Sequence, residues 1–292
     1  MNSILTLLLF PSVLCAGNPN VGTTGFAFLK LPYDARSAAL GGVRAALVGF
    51  SNPASLPDEP LYSISYGDYL ADIRIGEAWF TRPFGGGPLG IKLFGVSYGE
   101  FRKVDRSGNF GGRFGAGDLG FCVAVARRLE LGISLGVGFK AVYSYIAEYS
   151  SDAYASDLGL LWKAPWGRTS VGLELENMGF VRRGYKDRKD ALPVALRLGF
   201  SHLLAHLPVV LVGDLVLPND NSPYVSGGGE ALVGDLSLRL GYDGRAARNL
   251  DGRYGGLSFG FGIVVRGTRL DYAYTTFGEL GEVHRVSFKG KF

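Results

Sequence analysis

The fold turns on the stretch Val283-His284-Arg285-Val286-Ser287-Phe288-Lys289-Gly290-Lys291-Phe292. Val286, Phe288, Gly290 and Phe292 share one parity, while Arg285, Ser287, Lys289 and Lys291 share the other. Successive strand side chains point to opposite faces, so the stretch predicts a strand with one apolar and one polar face. Soluble sheets and outer-membrane barrels both use such strands. In a barrel it is the closing strand, and an aromatic last residue such as Phe292 serves as an assembly signal. The choice between the two settings rests on the other 282 residues, that is 292 less these ten.

A chain of 292 residues suits one domain. It holds 45 Gly, 15 Tyr and 19 Phe, and its mean hydropathy is positive at +0.16. Positive hydropathy usually marks membrane helices, yet no uninterrupted apolar run beyond residue 16 reaches helical spanning length. Even Leu207 to Leu217 is broken by Pro208 and Asp214. The remaining options are a large soluble all-β core or a transmembrane barrel, since only helices and closed barrels satisfy the backbone in lipid.

Residues 1–16 read as a secretory leader, with an apolar core from Ile4 to Leu14 and the small Ala16 before Gly17. Cys15 raises a lipoprotein alternative, for which Val13 and Leu14 are poor predecessors. Without the leader only Cys122 is left, which excludes a disulfide scaffold. The net charge of +4 is modest and its basic residues are scattered, so no nucleic-acid partner is expected.

Residues 17–60 are set apart as an N-terminal segment, rich in Ala and Leu and without period-2 alternation. Within it, Tyr33 to Leu40 predicts a short helix stopped by Gly41-Gly42. From residue 61 to 292 the pattern is strands. Fourteen are expected, near 61–69, 73–80, 89–98, 114–126, 131–147, 154–163, 169–177, 191–201, 208–216, 224–233, 236–243, 256–265, 268–275 and 282–292. The alternation is clean where Leu236, Leu238, Leu240 and Tyr242 oppose Ser237, Arg239, Gly241 and Asp243.

The links carry as much information as the strands. Short ones at Arg127–Glu130, Ala164–Arg168, Gly234-Asp235 and Arg266-Gly267 alternate with longer polar ones at 99–113, 178–190, 217–223 and 244–255. Tight turns at one end and longer loops at the other are an outer-membrane pattern, and Tyr143, Tyr145, Tyr149, Tyr242, Tyr272 and Tyr274 sit where an interfacial girdle would. The expected fold is therefore all-β: a transmembrane antiparallel β-barrel of about fourteen strands in the outer membrane.

Two stretches carry a family resemblance. Gly22-Thr-Thr-Gly-Phe-Ala-Phe-Leu-Lys30, Asp34-Ala-Arg-Ser-Ala-Ala-Leu-Gly-Gly42 and Ser51-Asn-Pro-Ala-Ser-Leu56 resemble the opening of PorV/PorQ-type outer-membrane proteins. Leu270 to Phe288 resembles their last hairpin. That family is similar in fold to FadL-type transporters of long-chain fatty acids, fourteen-stranded barrels plugged by an N-terminal hatch. The resemblance makes residues 17–60 the hatch and Asn52, Pro53 and Ala54 its shared motif. Ser51 and Ser55 depart from the family's aromatic residue and glycine, and the stretch between Gly42 and Asn52 is short.

Two function classes follow from the resemblance. One is passive passage of small hydrophobic compounds across the outer membrane. The other is a component of type IX secretion or surface attachment that receives secreted cargo. Membrane lipid, lipopolysaccharide and the barrel-assembly machinery are the other expected partners, the last reading Phe292. The outer loops, shortened relative to the family, leave less surface for partner docking and favour the transport reading.

Nothing in the sequence points to an enzyme, a cofactor or a metal. His202 and His206 are four apart but lie in an expected link without a carboxylate nearby, and His284 with Ser287 lacks a third member for hydrolysis. Inward parity instead collects Lys140, Glu174, Glu176, Arg197, Arg239, Arg269 and Asp271, a mixed-sign lumen suited to holding a plug or lining a polar route. Glycines on the inner face, as in Gly136-x-Gly138 and Gly227-Gly-Gly229, make room for a hatch.

Overall fold

Alternating residues from Leu61 onward build a closed sheet, because each strand can bury its small and charged face inward only if no edge is left open. The computed structural model describes residues 18–186, 188–249 and 255–292. The expected leader and Cys15 lie outside these residues. The first seven strands are β1 (Leu61–Asp68), β2 (Arg74–Phe84), β3 (Gly87–Val104), β4 (Phe110–Arg128), β5 (Ile133–Ile146), β6 (Tyr149–Lys163) and β7 (Thr169–Arg183). They continue as β8 (Ala195–Leu203), β9 (Val209–Pro218), β10 (Tyr224–Val233), β11 (Leu236–Asp243), β12 (Leu257–Val265), β13 (Thr268–Thr276) and β14 (Glu282–Lys291). Each pairs antiparallel with its neighbours, and β1 closes on β14 with Leu61 opposite Lys291 and Asp68 opposite His284.

The outer face is apolar. Ile64, Leu93, Leu135, Leu158, Leu198, Leu238, Phe261 and Phe288 are all exposed on it, forming a belt that suits lipid rather than water. Phe292 is exposed at the barrel end where the chain closes, its ring 5.2 Å from that of Tyr62. Tyr143, Tyr145, Tyr149 and Tyr242 are exposed towards the opposite end, here called the loop end.

The links at the closing end are tight. Gly85 and Gly86 (φ +57° and +92°) and Arg266 and Gly267 (φ +51° and +82°) take the left-handed pairs that two-residue hairpins require. At the loop end three expected links are shorter than the sequence suggests. β3 and β4 extend through most of 99–113 and leave only 105–109 as a turn, β7 runs on to Arg183, and β5 meets β6 across 147–148. His202 likewise lies within β8, its Nδ1 2.9 Å from Thr169 Oγ1, and not in a link.

Residues 18–60 thread the lumen from the loop end to the start of β1. Asn18 Nδ2 donates to the carbonyls of Asn219 (3.0 Å) and Asn221 (2.9 Å) in the β9–β10 link, and Gly25 N donates to Ala191 O. The helix α1 (Ala35–Ala39) follows, capped by Asp34, whose Oδ1 accepts from Ser37 N at 2.9 Å. Its alanines let the helix lie directly on the wall, where Ala35, Ala38 and Ala39 pack on Ala273 of β13. Gly41 and Gly42 (φ +76° and +77°) end it.

A pH-sensitive latch holds the loop end of this segment. Lys30 Nζ lies 2.6 Å from Asp220 Oδ2, which also accepts from Thr24 Oγ1. Burial pushes the Asp220 carboxyl up, but the bonds from Lys30 and Thr24 outweigh it and hold it below the usual carboxylate range. A carboxyl lowered in the folded state stabilises above its unfolded value, about 3.9, and the stabilisation is lost as pH falls through the depressed value. Residues 18–30 should therefore stay protected from proteases at neutral pH and loosen under acid. Asp220→Asn should loosen them at neutral pH and abolish the acid response; a digestion profile identical to wild type at both pH values would refute the latch.

Candidate functional site

The site is the lumen, filled by residues 18–60, here called the hatch after the expectation from the sequence. On the β7–β13 side, two ionic clusters grip it. Arg44 Nη2 lies 3.1 Å from Glu176 Oε2, and the Arg44 backbone N donates to Asp214 Oδ2 at 2.8 Å. Arg197 ties the same two carboxylates together, reaching Glu176 Oε1 at 2.9 Å and Asp214 Oδ2 at 3.1 Å. Glu174 is buried beside them, with its Oε2 lacking a partner. In the second cluster Arg36 of α1 lies 2.6 Å from Glu230 Oε2. Arg239 bridges Glu230 Oε1 (2.8 Å) and Asp271 Oδ1 (2.7 Å), and Arg269 reaches the same two oxygens at 3.0 and 2.9 Å.

Asn52, Pro53 and Ala54 form a third grip. Asn52 is fully buried; its Nδ2 donates to Ala45 O at 2.7 Å and its Oδ1 accepts from Ala54 N at 2.9 Å. The motif rests on β5 and β6 at glycines: a Cβ on Gly136 would come within 2.3 Å of Ala54 N, and one on Gly159 within 2.0 Å of Asn52 Oδ1. Arg128 of β4 donates to Ala54 O at 2.7 Å and also to Leu56 O. In the glycine run of β10, Gly228 meets the hatch at Leu40, whereas Gly229 is nearest to Leu211 on its own wall.

The opposite side of the lumen is richer in apolar side chains, and its ion pairs, Lys92–Glu77 (3.4 Å) and Lys140–Asp157 (2.6 Å), join strand to strand and not the hatch. Ile75, Trp79, Phe94, Val96, Val142, Ala153, Ala155 and Val181, from β2 to β7, join Phe26, Phe28, Tyr33, Phe50 and Leu56 of the hatch in one buried apolar cluster. This column spans from Val181 near the loop end to Phe50 and Leu56 near the closing end. The Phe28 and Phe94 rings are 5.7 Å apart, and those of Phe50 and Trp79 6.0 Å. Two chambers adjoin along it, each of about 40 Å³, sharing Tyr33, Phe50 and Lys92. They are polar enough in part to hold water. Lys92 Nζ sits between two rings, 5.3 Å from that of Phe50 and 5.0 Å from that of Phe94, while Lys289 Nζ is 5.2 Å from that of Trp79.

Of the residues expected inward from parity, Glu174, Glu176, Arg197, Arg239 and Asp271 are buried in the lumen, and Arg269 is partly buried there. Lys140 faces the same space but holds Asp157 (2.6 Å) and the side chain of Asn177 (2.8 Å), not the hatch. Parity does not single out Arg36, Arg44, Asp214 and Glu230, which together with Glu176 make or receive the ionic hatch contacts. A signal for Asp214 was present: it is the lone charge in the apolar run Val209–Leu217. His284 and Ser287 lie on opposite faces, with His284 outward against Tyr272 (2.7 Å) and Ser287 inward against Ala35 N (2.8 Å). Among the described residues no cluster of His, Cys, Asp or Glu is arranged to hold a metal.

No protein-family model and no curated protein matches the chain. Solved structures do. The toluene transporter TbuX of Ralstonia pickettii is 13% identical with a TM-score of 0.61, over 91% of this chain and 100% of that one. The P. putida toluene transporter TodX is also 13% identical, with a TM-score of 0.60 over 90% and 99%. A TodX variant described as a monoaromatic hydrocarbon channel, with deletion deltaS2S3, is 14% identical, with a TM-score of 0.63 over 89% and 99%. The chain thus has the FadL-like transporter fold, a closed barrel of fourteen antiparallel strands. These neighbours are transporters or channels, not enzymes. The finer likeness to PorV/PorQ-type proteins gains no support from them.

Proposed function

We propose that this protein is an outer-membrane barrel through which small hydrophobic compounds diffuse passively. The apolar column carries the reading. Barrel lumens are ordinarily polar, and a continuous aromatic and aliphatic path beside a plug gives an apolar solute somewhere to go. The ionic clusters grip the hatch along one flank of this path, with Arg44 bordering both chambers, and leave the flank of Trp79 and Phe94 free of hatch ion pairs. The toluene and monoaromatic hydrocarbon proteins that share the fold point to the same substrate class.

Uptake of radiolabelled toluene by cells making the protein tests this. Uptake should exceed that of cells without the gene, and Val142→Lys should return it to the background rate, because that lysine, unlike Lys92 with its partner Glu77 at 3.4 Å, brings a charge with no partner into the path of an apolar solute. Normal uptake in the deletion strain, with secreted proteins stalled, would overturn the reading in favour of secretion.

Phe292 takes the assembly role in this scheme. Phe292→Lys should lower the amount of heat-modifiable barrel in the outer membrane, and wild-type amounts would remove that role.

A further inference from the structure

The lipid-facing surface of β4–β7 carries a feature that hydrocarbon passage does not use. Near the loop end, Ala141 on β5 stands opposite Phe121 on β4 and Tyr154 on β6, and in the next row Tyr143 stands between Leu119 and Asp152. A small side chain framed by large ones leaves a crevice of about 380 Å³, lined by these residues and by Arg182 and Arg183 of β7. Leu119, Phe121, Tyr143 and Tyr154 are all exposed along it.

The crevice ends in charge. Arg182 binds Asp152 in a two-pronged pair, Nε to Oδ2 at 2.6 Å and Nη2 to Oδ1 at 2.9 Å. Asp152 takes two of the five guanidinium donors, and the Arg182 side chain is 60% exposed. Arg183 lines the crevice beside it. An ion pair on a lipid-facing strand is costly within hydrocarbon but suited to the head-group level, where a basic rim meets phosphate.

We propose that this crevice is a binding site for a phosphate-bearing glycolipid of the outer leaflet. One acyl chain lies over Ala141 between Phe121 and Tyr154, and a phosphate meets Arg182 and Arg183. Charge complementarity selects the occupant: two guanidinium groups against one carboxylate at the end of an apolar crevice fit an anionic head group on an acyl chain. The proposal rests on the outer-membrane placement argued above, because that placement turns the loop end to the leaflet where such lipids reside.

The test uses purified full-length protein in detergent and bisphosphorylated lipid A as probe, with bound lipid counted by native mass spectrometry. Ala141→Trp fills the crevice, and the double change Arg182→Gln, Arg183→Gln removes both guanidinium groups. Each should weaken lipid A binding by about tenfold or more, the scale of a lost charge-assisted contact. Asp152→Asn removes the competing carboxylate and should tighten binding. Heat-modifiable mobility confirms that each variant is a folded barrel, and toluene uptake by the Ala141→Trp variant should equal wild type. Wild-type lipid A binding by folded Ala141→Trp, or equal binding of zwitterionic phosphatidylethanolamine and lipid A, would overturn the site. Membrane fractionation separates this failure from that of its premise: recovery outside the outer membrane sinks the placement, whereas recovery within it together with either of those binding results sinks only the lipid site.

Discussion

Arg44→Met should destabilise hatch docking by about 3–5 kcal/mol, the usual cost of removing one partner from a buried charge cluster. Arg36→Met should cost clearly less. The difference lies in what each leaves behind. Without Arg44, the carboxylates of Glu176 and Asp214 are left with Arg197 as the one guanidinium bonded to both, and all three groups are buried. Without Arg36, two carboxylates (Glu230 and Asp271) still face two guanidinia (Arg239 and Arg269) through bonds that do not involve the hatch. Methionine keeps much of the apolar stem in both cases, so packing is not the variable. Hydrogen exchange reads the outcome: amides of residues 35–47 should exchange roughly 10²–10⁴-fold faster in the Arg44 variant, following the cost of local opening. Equal effects, or a larger one for Arg36, would refute this account of the clusters.

The same clusters show where the sequence could be read and where it could not. Parity alone placed Glu176, Arg197, Arg239 and Asp271 in the lumen, because a strand within the apolar belt has one face for lipid and one for the interior. Parity says nothing about partners. Arg36 meets Glu230, and Arg44 meets Glu176, only because of the path that residues 18–60 take through a closed barrel. Such pairs, more than a hundred residues apart, carry no local signal. The helix at Tyr33–Leu40 was legible for the opposite reason, since its stop at Gly41-Gly42 is local chemistry.

Strand ends were misread for a further physical reason. Alternation marks a strand only where its two faces meet different media. Beyond the apolar belt, Glu100, Arg102 and Lys103 of β3 and Arg113 of β4 are wet on both faces, so the pattern fades while the hydrogen-bonded ladder goes on. In β7 the reading stopped at Asn177, where the parity does shift. Asn177 has φ +58°, its backbone N donates to Asp157 Oδ1 at 2.8 Å and its Nδ2 to Pro193 O at 3.0 Å. That bulge turns Phe180 and Arg182 outward, towards the crevice at Ala141.

Gly159→Val is the second change with a large expected effect, and it acts on the hatch without touching a charge. Valine is a favourable strand residue, and nothing in the pairing of β6 with β5 and β7 forbids it, so the barrel should still close. Its Cβ, however, would stand 2.0 Å from Asn52 Oδ1 and 2.9 Å from Ala54 N. Asn52 has no room to retreat, being fully buried and bonded to Ala45 O and Ala54 N. Overpacking costs about 1–3 kcal/mol and each unmet buried polar group about 1–3 more, so the Asn-Pro-Ala segment should leave its seat. The predicted phenotype is a barrel with normal heat-modifiable mobility and a raised ion conductance in planar bilayers. Gly229→Val is the matched control, since its Cβ would find only Leu211 Cδ2 at 3.7 Å, and it should conduct as wild type. If Gly159→Val also conducts as wild type, the hatch is not seated through Asn52. If it fails to form a barrel at all, the seat belongs to closure of the sheet and not to the plug.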